Sequence, residues 1–394
     1  MISVERAKEL VLENCKALGS IKVDLQTSLD HTLFHDLRSP IDLPPFDQSA
    51  MDGYALGDSS SYNKGISFEV IAEIQAGDED LPNLAHEKAA RIFTGAPIPP
   101  GTKTVIMQEK TTCDENSIEL NADIQINENI RTAGEQIKSG EVALKKGHYL
   151  NPASIGFLAS LGIESFEVYR KPNIAIASTG NELIPIGTDL KHGQIYESNY
   201  SALNSAIINT HFAVNDQGKI KDELRKTITA IDDLISENDV VIITGGISVG
   251  DHDYVGKALE SLGVETIFYK VKQKPGKPML FGKKDNSLIF ALPGNPAAAL
   301  TCYYEYVLPA LRKLSKLPSG FLRKIKLPIS HAYTKSDQRA HFLKAKIENA
   351  KVVLLDGQSS SMMHTYAHAD CLIYLNEETQ SVNTGDLVEV HLLP

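Results

Sequence analysis

Between residues 172 and 318, short apolar runs alternate with segments that have the length and periodicity of helices. The runs NIAIAS, DVVIITGG and SLIFALP are typical of buried strands, and the segment between the first two places Leu224, Ile228, Ile231 and Ile235 on one helical face. Strands that alternate with helices of this size form a parallel sheet that is covered on both faces. Ligands of such folds bind at the carboxyl ends of the strands, so we expect a site in the turns that follow them.

The segments on either side of this region have different patterns. Short apolar runs broken by Pro, Gly and Asn predict a β-rich insert, and helical patterning before and after it predicts a discontinuous helical domain. The end of the chain alternates with a period of two residues and has no helix signal, which predicts a small sandwich or barrel. We therefore expect an α/β multidomain protein with a discontinuous helical domain (1–40 plus 141–170), a β-rich insert (41–140), an α/β domain (171–318) and a C-terminal β-barrel-like domain (319–394).

Composition excludes several classes of protein. No apolar stretch approaches the roughly 20 residues that cross a bilayer, and the first ten residues do not resemble a signal peptide, so we expect a cytoplasmic protein. A formal net charge of −11 argues against non-specific binding to nucleic acid or to an anionic membrane. The cysteines lack the paired spacing that binds zinc or exchanges disulfides, which predicts four buried, reduced thiols: Cys15, Cys113, Cys302 and Cys371.

Three predicted strand-to-helix turns, ASTGNEL, TGGISVGDHDYV and LPGNP, are suited to an anion. Glycines allow a tight turn, and free N–H groups at a helix start favour a phosphate. Each turn alone is also compatible with a purely structural role, because Gly and Asn commonly end strands; three of them at one sheet edge favour a binding site. Their candidate substrate-binding residues are Thr179, Gly180, Gly245, Gly246, Ser248, Pro293, Gly294, Asn295 and Pro296.

The segment YKVKQKPGKP carries Lys270, Lys272, Lys274 and Lys277 around a Pro-Gly turn. A run of lysines is commonly a solvated loop. At the end of an apolar strand, however, these side chains can face the same crevice and supply the positive charge that the whole chain lacks.

Two carboxylates, Asp251 and Asp253, lie in the second turn and would repel a phosphate. A divalent cation resolves this conflict, because Mg²⁺ takes one or two carboxylates together with phosphate oxygens. The turn therefore predicts a phosphate that is bridged by a metal ion. Zinc is the weaker alternative, since His252 has no second His or Cys near it in sequence.

The motifs PFDQSAMDGYA, FTGAPIPPG, ASTGNEL, GQIYESN, TGGISVGDHDYV, KPGKP and LPGNP follow one another from about residue 40 to 300. In this order they resemble the molybdopterin molybdenumtransferase family, the MoeA-type proteins similar to the E domain of gephyrin. The resemblance implies an enzyme that binds adenylylated molybdopterin, cleaves its pyrophosphate with Mg²⁺, inserts molybdate as co-substrate and releases AMP. It also implies a homodimer whose active site combines the α/β domain of one subunit with the insert of the other. Molybdopterin adenylyltransferase and molybdoenzymes are candidate protein partners.

The resemblance also assigns roles to individual residues. Asp253 and Glu182 would contact the metal or the pterin, the lysines would bind phosphates or molybdate, and Asp52 would act from the partner subunit. Ser360 matches a serine of the C-terminal domain, and Lys277 joins the substrate-binding set. The expected catalytic residues are Asp52, Thr94, Glu182, Asp222, Asp253, Lys270 and Lys274, and the expected metal ligands are Asp251, Asp253 and Glu182.

Three positions depart from the family pattern. Gln136 replaces an Asp, Lys221 stands where a second Asp is common, and Glu197 replaces an Asp. Two other functions stay open at this point: a pterin-binding scaffold without turnover, and a nucleotide pyrophosphatase that shares only the α/β domain. The second has no need for the long PPFDQSAMDGYA region, which counts against it.

Overall fold

The computed structural model describes residues 1–220, 223–247, 254–318 and 320–394. By internal contacts the chain divides into a larger unit (Met1–Ile21, Asp30–Thr32 and Tyr169–Pro394) and a smaller unit (Lys22–Leu29 and Leu33–Val168). The four-domain division expected from the sequence is finer than this and stays a prediction. Within the described ranges, no helix is both long enough and apolar enough to cross a membrane.

The helices begin where the sequence provides caps. Helix α1 follows Ser3, whose side chain accepts a hydrogen bond from the Arg6 N–H at 3.2 Å. The C-terminal segment contains a helix of four residues, which is too short to produce a helical period in the sequence. The helices are α1 (Val4–Glu13), α2 (Pro152–Ser160), α3 (Asn199–Asn209), α4 (Leu224–Glu237), α5 (Tyr254–Ser261), α6 (Pro296–Cys302), α7 (Leu308–Leu314) and α8 (Met363–Tyr366), with a π-helical turn (Tyr303–Val307) joining α6 to α7.

A six-stranded sheet with the order β7-β4-β6-β5-β9-β8 forms the centre of the smaller unit. Alternate residues of β4 enter two apolar clusters, Tyr54 and Leu56 in one and Ala55 in the other, so both faces of the sheet are covered. This confirms the β-rich insert. The strands of residues 20–169 are β1 (Ser20–Asp24), β2 (Leu37–Arg38), β3 (Gln48–Ser49), β4 (Gly53–Leu56), β5 (Ser67–Ile74), β6 (Lys88–Ile92), β7 (Thr104–Met107), β8 (Thr111–Asp114), β9 (Ser117–Leu120), β10 (Ile130–Arg131), β11 (Val142–Leu144) and β12 (Ser165–Tyr169).

The central sheet of the larger unit has the order β16-β13-β17-β21-β20-β18. Its strands and the short strands beside it are β13 (Ile174–Thr179), β14 (Leu183–Ile184), β15 (Ile195–Tyr196), β16 (Asp216–Ile220), β17 (Val240–Thr244), β18 (Glu265–Tyr269), β19 (Gln273–Lys274), β20 (Leu280–Lys284) and β21 (Ser287–Leu292). Strands β16, β13, β17 and β21 are parallel, and apolar clusters cover both faces, as predicted.

The far edge of this sheet differs from the expectation of parallel strands. Strand β20, which the sequence analysis missed, pairs antiparallel with both β21 and β18. A two-residue turn joins β20 to β21, and its first residue, Asp285, has a φ of 54°. A tight hairpin of this kind can join only antiparallel strands, whereas a parallel connection needs a crossover.

The C-terminal β domain is confirmed. Its strands are β22 (Lys324–Pro328), β23 (Tyr333–Thr334), β24 (Ala340–Glu348), β25 (Lys351–Leu354), β26 (Cys371–Leu375), β27 (Ser381–Val382) and β28 (Leu387–Leu392). The strands form a sheet of order β19-β24-β26-β28-β22, in which β25 also pairs with β24. Ile329, the residue after β22, forms a bridge with Val352 in β25 and so connects the two ends of the sheet. This closure matches the predicted barrel. Strand β19 comes from the lysine-rich segment, so that segment is hydrogen-bonded directly to the barrel.

All four cysteines have free thiols, which agrees with the prediction of reduced cysteines. Cys15, Cys302 and Cys371 are buried, but Cys113 is exposed. The expectation of burial is wrong for Cys113 because it lies on β8, which is the last strand at one edge of its sheet.

Candidate active site

The parallel strands bring the three predicted turns side by side. Thr244 at the end of β17 is in register with Leu292 at the end of β21, and Ser178 near the end of β13 is in register with Thr244. The Thr179 hydroxyl donates to the Thr244 carbonyl at 3.4 Å, and the Gly245 N–H donates to the Leu292 carbonyl at 3.3 Å. The carboxyl edge of the sheet therefore presents one continuous turn surface.

Glycine is required in the second turn. Gly245 has a φ of +84°, and a Cβ there would lie 2.8 Å from the Thr179 carbonyl oxygen. At Gly246, with a φ of +59°, a Cβ would lie 2.7 Å from a methyl group of Val255. Both positions combine left-handed backbone with close packing, so only glycine keeps the turn against β13 and α5.

Above these turns lies a cavity of about 680 Å³, which we call the turn cavity. Glu182 reaches it from the first turn, and Glu197 lines it from a short ribbon in which β14 pairs with β15. The Glu197 carboxylate accepts a hydrogen bond from the Tyr200 N–H at 2.9 Å at the start of α3. The predicted residues that line this cavity are Thr179, Gly180, Glu182, Gly245, Gly246, Pro293, Gly294, Asn295 and Pro296.

Two buried polar groups in this lining were missed by the sequence analysis. Asn199 is 8% exposed and donates to the Gly294 carbonyl at 2.8 Å, while its Oδ1 has no partner in the described part of the chain. The Thr244 hydroxyl, on a residue that is 1% exposed, likewise has no partner there. Unpartnered buried polar atoms cost free energy, so these two are suited to hydrogen bonds with a bound molecule. Both residues lie in motifs that the sequence did single out, GQIYESN and TGGISVG.

A second cavity of about 610 Å³, the lysine cavity, shares Pro278, Pro293 and Asn295 with the turn cavity. Lys274 and Lys277 both line it. Lys270 and Lys272 line neither cavity, and the Lys270 ammonium instead lies 4.6 Å from the centre of the Tyr269 ring. The structure therefore brings together two of the four lysines of this segment.

Ser360 joins the lysine cavity to the third turn. Its hydroxyl accepts a hydrogen bond from the Asn295 side chain at 2.8 Å, and its carbonyl accepts one from the Ala298 N–H at 3.2 Å. The C-terminal serine and the LPGNP turn thus form one wall, on which Asn295 is common to both cavities.

Arg339 is a further cation of the lysine cavity that the sequence analysis missed. Its guanidinium donates two hydrogen bonds to the Asp337 carboxylate, at 3.0 and 2.7 Å, and these bonds lower the pKa of Asp337. Its Nη1 reaches the Gln273 carbonyl at 3.5 Å. Among the described residues, the lining contains Lys274, Lys277 and Arg339 but no carboxylate. Although Asp337 pairs with Arg339, the two lysines leave this lining positively charged, which favours an anion.

In the smaller unit, Asp52 and Thr94 form a direct pair. One oxygen of the Asp52 carboxylate accepts hydrogen bonds from the N–H and from the hydroxyl of Thr94, each at 2.8 Å. These bonds lower the pKa of Asp52, with a smaller contribution from the positive charge of Arg91. Asp52 is therefore an exposed carboxylate in a fixed orientation. Gln136, the departure noted in the sequence, lines a separate cavity of about 500 Å³ in this unit.

Three family models match consecutive parts of the chain: the MoeA N-terminal region (domain I and II) at residues 2–162, a probable molybdopterin binding domain at 175–313, and the MoeA C-terminal region (domain IV) at 326–393. A molybdopterin molybdenumtransferase of Haemophilus influenzae is 34% identical over 405 residues, covering 100% of both chains. The chain belongs to the MoeA family. This confirms the resemblance seen in the ordered motifs.

Other MoeA-type proteins agree with this result. A molybdopterin molybdenumtransferase of Staphylococcus aureus is 32% identical over 399 residues, covering 99% of this chain and 95% of the relative. Two solved structures of MoeA proteins from Pyrococcus horikoshii have TM-scores of 0.84 and 0.83 at 30% and 26% identity, and each covers 100% of this chain and at least 99% of its own. These matches confirm the multidomain α/β fold.

Placed on the MoeA regions, the turn cavity lies almost wholly within the molybdopterin binding domain, whereas the lysine cavity combines that domain with the C-terminal region. Four expected site residues, Asp222, Ser248, Asp251 and Asp253, lie outside the described residues. Within the described ranges, no group of three or more His, Cys, Asp or Glu side chains is arranged to hold a metal ion. The carboxylates assigned to a metal from the sequence therefore stay predictions.

Proposed function

We propose that this chain is a molybdopterin molybdenumtransferase, which cleaves adenylylated molybdopterin and inserts molybdate to give molybdenum cofactor and AMP. The observation that carries the proposal is the pair of adjoining cavities. Three glycine-containing turns line one, and the described lining of the other contains three cations and no carboxylate. The full-length relatives that carry this name support it.

In this proposal the turn cavity binds the phosphate end of the pterin nucleotide. Backbone N–H groups of the turns and the N-terminus of α6 contribute partial positive charge. The unpartnered Asn199 Oδ1 and Thr244 hydroxyl offer hydrogen bonds to ring or ribose groups of the same molecule. No nucleophilic side chain is needed, because positioning and charge stabilisation are sufficient for phosphoryl chemistry.

The lysine cavity binds the oxyanion. Lys274, Lys277 and Arg339 surround a space that is suited to a tetrahedral dianion such as molybdate, and Ser360 and Asn295 set its distance from the turn cavity. The two cavities adjoin, so the oxyanion and the pterin nucleotide are held next to each other. That proximity is what a transfer between them requires.

Glu182 lines the turn cavity, and carboxylate oxygens are the ligands that a divalent cation prefers. We propose that Glu182 holds Mg²⁺ together with Asp251 and Asp253, both from the second turn. When bound, Mg²⁺ neutralises the charge that develops on the pyrophosphate. Asp52 is proposed to act from the second subunit of a homodimer, as a carboxylate that the N–H and hydroxyl of Thr94 hold in a fixed orientation. A cytoplasmic location and protein partners from cofactor biosynthesis stay predictions.

The test is AMP release from adenylylated molybdopterin with Mg²⁺, with and without molybdate. Lys274→Ala and Arg339→Ala should each reduce the molybdate-dependent rate by roughly 100-fold, the usual loss when one preorganised charge is removed. Lys272→Ala is the matched control, because this neighbouring lysine lines neither cavity.

Two outcomes would contradict the proposal. No AMP release at normal affinity for the pterin nucleotide would favour the scaffold without turnover. Hydrolysis of ordinary dinucleotides at a rate that molybdate does not change would favour the pyrophosphatase.

A further inference from the structure

The loop that carries Lys274 and Lys277 rests on a buried polar side chain. Gln273, the residue before Lys274, is 0% exposed although glutamine is usually a surface residue. Its Nε2 donates to the Gly276 carbonyl at 3.4 Å and contacts the Cys302 sulfur at 3.6 Å, and its Oε1 accepts a hydrogen bond from the Tyr306 hydroxyl. The amide therefore links the lysine loop to the helix behind it.

Tyr306 reaches this amide from an unusual place in its helix. It lies in the π-helical turn Tyr303–Val307 and is 0% exposed. Such turns insert one extra residue into a helix and change the direction of the side chains that follow, often near functional sites. Tyr303 of the same turn bonds instead with Thr210, at 2.6 Å between the hydroxyl oxygens. The turn thus holds two elements through two different tyrosines.

The loop packs closely against this side chain. Gly276 has a φ of +89°, and a Cβ there would lie 2.6 Å from the Cys302 sulfur and 2.7 Å from the Gln273 Nε2. The loop therefore lies directly on the Gln273 side chain and on α6. We therefore expect a shift of that side chain to disturb the backbone between Lys274 and Lys277.

The main chain of Gln273 also contacts Arg339, the third cation of the lysine cavity. Its carbonyl is 3.5 Å from the Arg339 Nη1, and its Cα is paired with Ala340 in the ladder between β19 and β24. The position of this one residue therefore bears on Lys274, Lys277 and Arg339 together.

We propose that Gln273 and Tyr306 are positioning residues, which fix the lysine loop so that three cations converge on one oxyanion. This rests on the proposed function. Filling the core does not require a polar pair, because two apolar side chains of similar shape can replace a buried hydrogen-bonded pair at little net cost. The polar pair contributes directional hydrogen bonds instead. The Gln273 amide accepts one from Tyr306 and donates one to the loop, and so fixes the loop relative to the helix.

The test compares three purified variants: Tyr306→Phe, Gln273→Met, and Tyr303→Phe as the matched control from the same turn. Molybdate binding by titration calorimetry and molybdate-dependent AMP release are measured together with thermal unfolding. In Tyr306→Phe and Gln273→Met, the Kd and KM for molybdate should rise about tenfold, the loss expected when a buried hydrogen bond no longer orders a site. The KM for the pterin nucleotide should stay unchanged. Tyr303→Phe should lose thermal stability like Tyr306→Phe but bind molybdate like the wild type.

Wild-type molybdate affinity in folded Tyr306→Phe, or an equal loss of affinity in Tyr303→Phe, would overturn the inference. If Tyr306→Phe does not fold, Gln273→Met decides by the same criteria. The calorimetric measurement on the wild-type protein distinguishes a failure of the proposed function from a failure of this inference. A wild-type protein that binds molybdate but releases no AMP contradicts the proposed function alone, whereas one that binds no molybdate contradicts the oxyanion site and this inference with it.

Discussion

Glu305 is a fully buried carboxylate in the π-helical turn, and its replacement should destabilise the larger unit strongly. One of its oxygens pairs with the Lys8 ammonium of α1, and the other is 2.7 Å from Nδ1 of His391 in β28. The second ring nitrogen of His391 lies 2.8 Å from Glu389. A chain of charges therefore connects the N-terminal helix, the π-helical turn and the C-terminal barrel.

The magnitude follows from the pKa of Glu305. Burial by itself would raise this pKa, but the charge of Lys8 and the hydrogen bond with His391 lower it from 4.5 to about 2. At about 1.4 kcal/mol per unit, this difference corresponds to roughly 3 kcal/mol of stability at neutral pH. Because the pKa is lowered by folding, this stability is present above pH 4.5 and is lost as the pH falls toward 2.

The stability that His391 contributes changes with pH in the opposite direction. Burial lowers its pKa, but the hydrogen bonds with Glu305 and Glu389 outweigh burial and raise it above 6.5. The stability that His391 contributes is therefore fully present below pH 6.5 and is lost as the pH rises through the pKa of His391 in the folded protein. The network as a whole should stabilise the protein most between these two limits.

We expect Glu305→Gln to lower the free energy of unfolding by about 3 to 5 kcal/mol at pH 6, because Lys8 and His391 lose their shared counter-charge. Urea unfolding followed by circular dichroism measures the change, since the chain has no Trp to report it by fluorescence. Glu9→Gln is the control: Glu9 is an exposed carboxylate 2.9 Å from Arg6, and its loss should cost less than about 1 kcal/mol. Two results would refute the reasoning. One is a loss of less than about 1 kcal/mol in Glu305→Gln, and the other is that the variant loses as much stability as the wild type when the pH falls from 4.5 to 2.

Two further predictions concern the candidate active site. Gly245→Ala should lower the free energy of unfolding by about 1 to 3 kcal/mol and weaken pterin nucleotide binding, because its φ of +84° and the nearby Thr179 carbonyl exclude a Cβ. Gly256→Ala in α5 should be neutral or stabilising, because among the described residues no atom outside the local helix backbone lies within 4 Å of the added Cβ. Equal effects in the two variants would contradict the argument. If the active site is shared across a homodimer, mixing inactive Asp52→Ala and Asp253→Ala proteins should restore some AMP release, and complete inactivity of isolated heterodimers would exclude that arrangement.

The sequence was sufficient where the structure depends on neighbouring residues. The three turns could be predicted because Thr179, Gly245 and Asn295 each lie within three residues of the end of an apolar run, and the parallel sheet brings the ends of such runs together. The roles that the resemblance assigns to individual residues stay proposals, although many of these residues line one of the two cavities.

The sequence was insufficient where distant segments meet. Arg339 is 66 positions from Gln273, and it enters the lysine cavity only because β19 pairs with β24. Nothing in the local sequence SDQRAHF indicates that pairing. Asn199 was quoted as part of a motif, but its unpartnered oxygen depends on α3 packing against the third turn, which periodicity cannot reveal.

The division between the two cavities also separates the candidate functions. The turn cavity is built almost entirely from the molybdopterin binding domain, so a protein with that domain alone could bind a phosphate there. The lysine cavity also requires the C-terminal domain, because that domain provides Arg339 and Ser360 and because the lysine loop is paired with β24. A pyrophosphatase would have no use for a second anion site beside the first. The described lining of the lysine cavity contains three cations and no carboxylate, in a chain of net charge −11. Although Asp337 pairs with Arg339, the lysines concentrate positive charge where a second anionic substrate would have to bind, and this favours a transferase with two substrates.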